Sequence, residues 1–147
     1  MSEYRLSREI IRLSTATSWP KARMEWDLKE VWRQAAPQAC ICGQYPINEV
    51  CVLKNRYNGK TVEVGNVCVE QFLRLPSGKI FEALHRVAKD NTKALSREAI
   101  GYAHAKAWIN DWERDFYVDT IRKRKLSPKQ LGKRRHINEM ILVRTRR

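Results

Sequence analysis

No stretch of this 147-residue chain approaches the ~20 consecutive apolar residues that a bilayer-crossing helix needs. The opening "MSEYRLSREIIRL" carries charges throughout and has no apolar core, which argues against a secretory signal. Glu3 and Glu9 argue in turn against an acid-poor organelle presequence, so the expected compartment is the cytosol. Histidine is scarce. His85, His104 and His136 are the whole set, and none falls between residues 44 and 75. "GNVCVEQF" has one glycine and no Lys-Ser/Thr pair, so a phosphate-cradling P-loop is excluded. Acidic residues are also in deficit, with 16 Asp and Glu against 29 Lys and Arg. Asp111, Asp115 and Asp119 recur at four-residue spacing, which reads as a solvated helix face balancing Arg114 and Arg122. A non-enzymatic protein without a small-molecule substrate is expected.

What is present is concentrated. The net charge is +13, and residues 118–147 hold eleven basic residues against Asp119 and Glu139. A positive field this dense favours a polyanion, and nucleic acid, DNA or RNA, is the expected partner. An anionic membrane is not expected, because the basic runs lack a strongly apolar opposite face. The segment "RKRKLSPKQLGKRR" supplies Arg122, Lys123, Arg124 and Lys125 at the end of one predicted helix. It continues with Lys129, Lys133, Arg134 and Arg135 on the next, a basic corner suited to gripping nucleic-acid backbone. Ser127, Pro128 and Gln130 form the cap, first turn and capping box of that second helix. Gly132 weakens it by about 1 kcal/mol, so ordering on binding is expected there.

All four cysteines, Cys40, Cys42, Cys51 and Cys68, fall within 29 residues. Disulfides need an oxidising compartment, and a catalytic thiol needs His and Asn or Asp partners in a recognisable arrangement. Plain core burial gives Cys-x-Cys-Gly no packing rationale. Metal binding explains more, because Gly43 after Cys42 frees the backbone of a tight turn for two sulfurs to approach one ion.

Between the cysteines, "INEVCVLKN" and "KTVEVGNV" are β-branched runs around "RYNGK". Asn58-Gly59 predicts a two-residue type I′ hairpin, which sets Leu53 opposite Val64 and Cys51 opposite Asn66. The tip presents Lys54, Arg56, Tyr57 and Lys60, where cations can meet phosphates while the tyrosine stacks on an unpaired base. Knuckle, hairpin, and a helix carrying Cys68 in its first turn: residues 40–73 in this order resemble a treble-clef zinc finger. The resemblance implies structural Zn²⁺. Two departures stand out, a Cys-x-Cys knuckle and Gln71 where a second helix ligand is usual. Cys51 is the expected fourth ligand, two residues of register short of Cys68, with His85 as the alternative. Four protein ligands would leave no open position, making the site structural. The string "CICG…NG…VGNVCV" also resembles uncharacterised small bacterial and phage proteins, which implies no activity.

The expected architecture is α+β, a mainly helical single domain over 1–147. Helices are predicted in 1–36, including residues 22–36 with Met24, Leu28, Val31 and Trp32 inward and Pro37 as terminator. The zinc-bound hairpin and a short helix occupy 37–75. A helical stretch covers 76–126, with an inner stripe of Ile80, Phe81, Leu84, Val87 and Ala88 and a break near Asn110, and a basic helix and tail cover 127–147. Nucleic-acid binding is the leading expectation. The alternative is a protein-interaction module for a nucleic-acid-processing machine such as polymerase, ribosome or a nuclease complex, anchored by Trp19, Trp26 and Trp32 if exposed.

Overall fold

A computed structural model describes residues 2–147. The protein is α+β, with seven α-helices and one three-stranded antiparallel sheet among the described residues. It divides into two compact units, one running to Gly78 and including Arg147, the other Lys79–Arg146.

The first unit opens with α1 (Ser2–Leu13) and the short α2 (Trp19–Ala22). Strand β1 (Trp26–Gln38) then pairs with β2 (Ile47–Asn55), which pairs with β3 (Thr61–Gly65). The helix predicted over residues 22–36 is therefore a correction, since most of it is strand. Register shifts between Leu28 and Glu30, so that Leu28 faces Leu53 while Val31 faces Cys51. Such a bulge switches which parity of residue points inward, so buried Trp26 and Val31 stand five apart and the period of two is lost. The resulting apolar spacing imitates a helix. Met24, expected inside, is 64% exposed. Pro37 lies in a second irregularity, between Arg33 and Gln38, at the sheet edge where a missing N–H costs no ladder bond. There Asn48 Nδ2 donates to the carbonyls of Gln34 and Ala35, 3.1 Å each.

The β2–β3 hairpin forms, but two residues off the predicted register. Leu53 faces Val62 and Cys51 faces Val64. The reason lies in Asn55, a fully buried side chain whose Oδ1 accepts from the N–H groups of Tyr57 and Asn58 at 2.9 and 3.2 Å. That local cap widens the loop to residues 56–59, closed by Gly59 N–H on the Asn55 carbonyl, with Gly59 at φ +73°. Asn55 is itself held by Glu25, whose carboxylate accepts from Asn55 Nδ2, Thr15 N and Oγ1, and Ala16 N between 2.7 and 2.9 Å. Burial opposes ionisation of Glu25, but these four hydrogen bonds outweigh it and hold the carboxyl down to about 2. One buried acid thus ties the end of α1 to the hairpin.

After β3, α3 (Asn66–Cys68) runs into a π-helical turn, Val69–Leu73, closed by Arg74 at φ 56°. Helix α4 (Ser77–Lys89) contains the boundary between the units.

In the second unit, Ile80, Phe81, Leu84 and Val87 of α4 are buried as expected, while Ala88 is exposed. Helices α5 (Arg97–Ala105) and α6 (Asp111–Thr120) are separated by Ala107 at φ 60° and by Asn110, which forms a capping box with Glu113. The expected break near Asn110 therefore has a physical cause. Helix α7 (Pro128–Arg144) starts with the predicted Ser127–Gln130 capping box and runs unbroken through Gly132. Its Asn138 Nδ2 donates to the carbonyls of Asn91 and Lys93, and Asn138 Oδ1 accepts from the buried Tyr117 hydroxyl at 2.6 Å. The α4–α5 loop is pinned by these bonds. No described helix is long and apolar enough to cross a membrane.

Candidate metal centre and basic surface

Cys40 follows β1, and residues 40–43 fold back on themselves through Gly43 N–H on the Cys40 carbonyl and Cys40 N–H on the Gln44 carbonyl, both 2.8 Å. Gly43 sits at φ +94°, a conformation that side chains rarely adopt, so the glycine is required there. This turn aims Cys40 and Cys42 at one point. Cys68 arrives from α3, and the three sulfurs lie within 4.8 Å of one another. All three residues are at most 4% exposed, and Cys68 and Cys42 Sγ stand 3.4 Å apart.

Backbone amides point at these sulfurs: Gly65 N–H to Cys40 Sγ at 3.2 Å, Gln44 N–H to Cys42 Sγ at 3.4 Å, and Cys42 N–H to Cys40 Sγ at 3.5 Å. The Cys68 thiol hydrogen-bonds the Cys40 sulfur and favours its thiolate. Burial opposes this thiolate, but the Cys42 and Gly65 amides favour it as well, so Cys40 is held below the ordinary thiol range. Cys68 is driven upward by the same contact and by burial, because a second negative charge beside the first is disfavoured. A divalent cation reverses that penalty. Two thiolates each ~2.3 Å from one tetrahedral ion stand about 3.8 Å apart, so sulfurs already within 4.8 Å of one another need only a small closure to share a metal ion. Cys40, Cys42 and Cys68 could hold one.

Cys51 does not join this cluster. Opposite Val64, it is fully buried, and burial pushes its thiol up to about 12 in spite of a hydrogen bond with Ser77. The expected fourth ligand thus lies outside the group of three sulfurs that stand within 4.8 Å of one another. His85 is an exposed residue of α4 in the second unit. Gln71 lies exposed in the π-helical turn.

At the hairpin tip Lys54, Arg56, Tyr57 and Lys60 are all exposed, Tyr57 by 70%. Arg56 is already engaged, with Nε 3.2 Å from Asp27 Oδ2 and Nη2 on the Met24 carbonyl.

The basic corner is rearranged. Arg122, Lys123, Arg124 and Lys125 lie beyond the end of α6 in the connection to α7, all exposed. Lys129 and Arg135 are exposed on α7, while Lys133 pairs with Glu113 at 3.0 Å. Arg134 needs correction as a surface contact. It is 5% exposed, its Nη2 donates to the Thr120 carbonyl at 2.7 Å and its Nη1 to the Thr92 carbonyl at 3.3 Å. Its Nε has no hydrogen-bond partner, and its guanidinium lies 5.7 Å from the Tyr117 ring centre. A helical position between Lys133 and Arg135 gave no sign of this, because which arginine of a basic run turns inward depends on the helix face that packs.

The tryptophans also redistribute. Trp26 is buried with Nε1 donating to Ser14 Oγ at 2.9 Å, and Trp19 and Trp32 are half-buried. The exposed one is Trp112, at 64%, stacked on Phe116 with ring centres 5.6 Å apart.

Compared with protein-family models, curated proteins and solved structures, the chain matches none.

Proposed function

We propose that this protein binds nucleic acid without catalysing a reaction, and that Zn²⁺ on Cys40, Cys42 and Cys68, with its fourth position filled by a ligand outside this trio, stabilises its first unit in a treble-clef-like arrangement. The observation that carries the nucleic-acid reading is the concentration of unneutralised cations in the second unit. Lys123, Arg124 and Lys125 are exposed beside one another, and among the described residues none of them makes a salt bridge to an acid. Leaving like charges adjacent and unpaired is unfavourable for an isolated surface, and contact with a polyanion relieves it. Zinc is favoured over other divalent ions by the donor set, since thiolates with amide N–H···S bonds suit a borderline-soft, redox-inert ion.

The test is a titration of labelled single-stranded and duplex oligonucleotides at several salt concentrations. Log affinity should fall linearly with log salt, by ~0.7–0.9 for each phosphate neutralised. Absence of binding to either nucleic acid even at low salt overturns the reading and leaves a protein-interaction module as the better account.

A further inference from the structure

The second unit places an exposed indole, Trp112, stacked on Phe116 and with Lys133 Nζ 5.8 Å from its ring centre, one hollow away from a pocket of positive charge. A depression of about 520 Å³ is lined by Lys93, Lys123, Arg124, Lys125 and, at its buried side, Arg134. Among the described residues none of these five forms a salt bridge. Arg134 matters most, because its charge is 5% exposed, held by two backbone carbonyls with Nε unsatisfied. A buried guanidinium without a carboxylate is costly unless an anion comes to it. Lys123 also lines a neighbouring depression that reaches Trp112, and Trp112 lines a third, of about 480 Å³, with Lys129, Lys133 and His136. The three hollows thus share residues along the α6–α7 corner.

Gly132 lies in the Trp112 hollow, and a Cβ built on it meets nothing within 4 Å. A glycine inside a helix is unfavourable, and here its effect is to keep open the space beside the indole. The middle hollow carries exposed Asp115 and Asp119, which repel phosphate and leave that stretch to uncharged groups.

We propose that this corner binds single-stranded nucleic acid, with an unpaired base stacked against Trp112 and neighbouring phosphates in the pocket of Lys123 and Arg134. The inference rests on the nucleic-acid reading above and narrows it to single strands. Duplex bases are already stacked on each other and offer no free face to an indole.

The experiment is fluorescence anisotropy with labelled oligothymidylate of about 15 nucleotides and a duplex of similar length. Trp112→Ala should weaken single-strand binding about ten-fold and leave duplex binding unchanged, with Trp112→Tyr restoring most of the loss. Gly132→Leu, which fills the hollow without lowering helix propensity, should weaken the single strand alone. The double variant Lys123→Gln, Lys125→Gln should flatten the salt dependence for single strands by one to two phosphates. If oligonucleotides bind but Trp112→Ala and Gly132→Leu change nothing, this corner is not a stacking site and only backbone binding survives. If the wild-type protein prefers duplex, the single-strand inference is overturned while nucleic-acid binding stands. If neither nucleic acid binds, both fall.

Discussion

The two units each bury one charged side chain, Glu25 in the first and Arg134 in the second, and treat it differently. The first, with twelve basic and eight acidic residues, draws its charged groups into hydrogen-bond networks: Glu25 takes four donors, Arg56 takes Asp27, and Arg147 takes Glu63 at 3.1 Å with Gln34 and Gln38 beside it. The second has seventeen basic residues and again eight acidic, and leaves Lys123, Arg124 and Lys125 at the α6–α7 corner without acid partners among the described residues. The buried Glu25 of the first unit is satisfied by four donors, whereas the buried Arg134 of the second is held by two backbone carbonyls, keeps Nε without a partner and, among the described residues, meets no carboxylate. The contrast separates stability from binding. Changes in the first unit should act on folding, whereas changes at the corner should act on affinity.

The largest effect that would sharpen this contrast is metal removal. Structural zinc in small sites contributes on the order of 10 kcal/mol of apparent folding free energy. A chelator, or Cys42→Ser, should therefore collapse amide-exchange protection in β1–β3 while α5–α7 keep theirs. Native mass spectrometry should find one metal ion per chain, lost in Cys42→Ser and retained in Cys51→Ser. Loss of the ion from Cys51→Ser would return Cys51 to the ligand set and break the assignment made from the three clustered sulfurs.

Acid comes next. The Glu25 carboxyl is held down to about 2 in the fold, below the usual value near 4.5, so its contribution is complete above about pH 5. That contribution is lost as pH falls through about 2, when the proton displaces the hydrogen bonds from Thr15, Ala16 and Asn55. Chemical denaturation followed between pH 6 and 2 should show the first unit weakening over that range. Glu25→Gln should be less stable at pH 6 and should flatten the dependence. An unchanged slope would mean that Glu25 is not the group that holds α1 to the hairpin.

The smallest effect belongs to the second unit. Gly132→Ala adds a methyl where nothing lies within 4 Å, so α7 should gain about 0.5–1 kcal/mol. A thermal melt checks it. A loss of stability instead would show that the glycine is needed by the fold and not by the hollow beside Trp112.

Legibility in the sequence followed the range of the interactions involved. Ser127-Pro128 with Gln130, and Asn110 with Glu113, are caps settled within four residues, and helices begin at both. The Cys-x-Cys-Gly turn is equally local, and Gly43 has the positive φ that its position demanded. Errors came where a distant partner decided the outcome. Residues 26–38 have helical apolar spacing, but β2 offers a full row of backbone partners, and a bulge accommodates the mismatch. The Asn58-Gly59 turn was displaced by Asn55, whose side chain is recruited from thirty residues away by Glu25.

By itself, then, the sequence determined the positive surplus, the cysteine turn, the hairpin and the starts of the later helices, because each depends on composition or on neighbours within a few residues. Only the tertiary structure decided that Cys51 stands apart from Cys40, Cys42 and Cys68, that Arg134 turns inward between two surface cations, and that Trp112 rather than Trp26 meets solvent. Those outcomes rest on strand register and on which helix face finds a packing partner. Both are set by contacts between segments that no short stretch of chain contains.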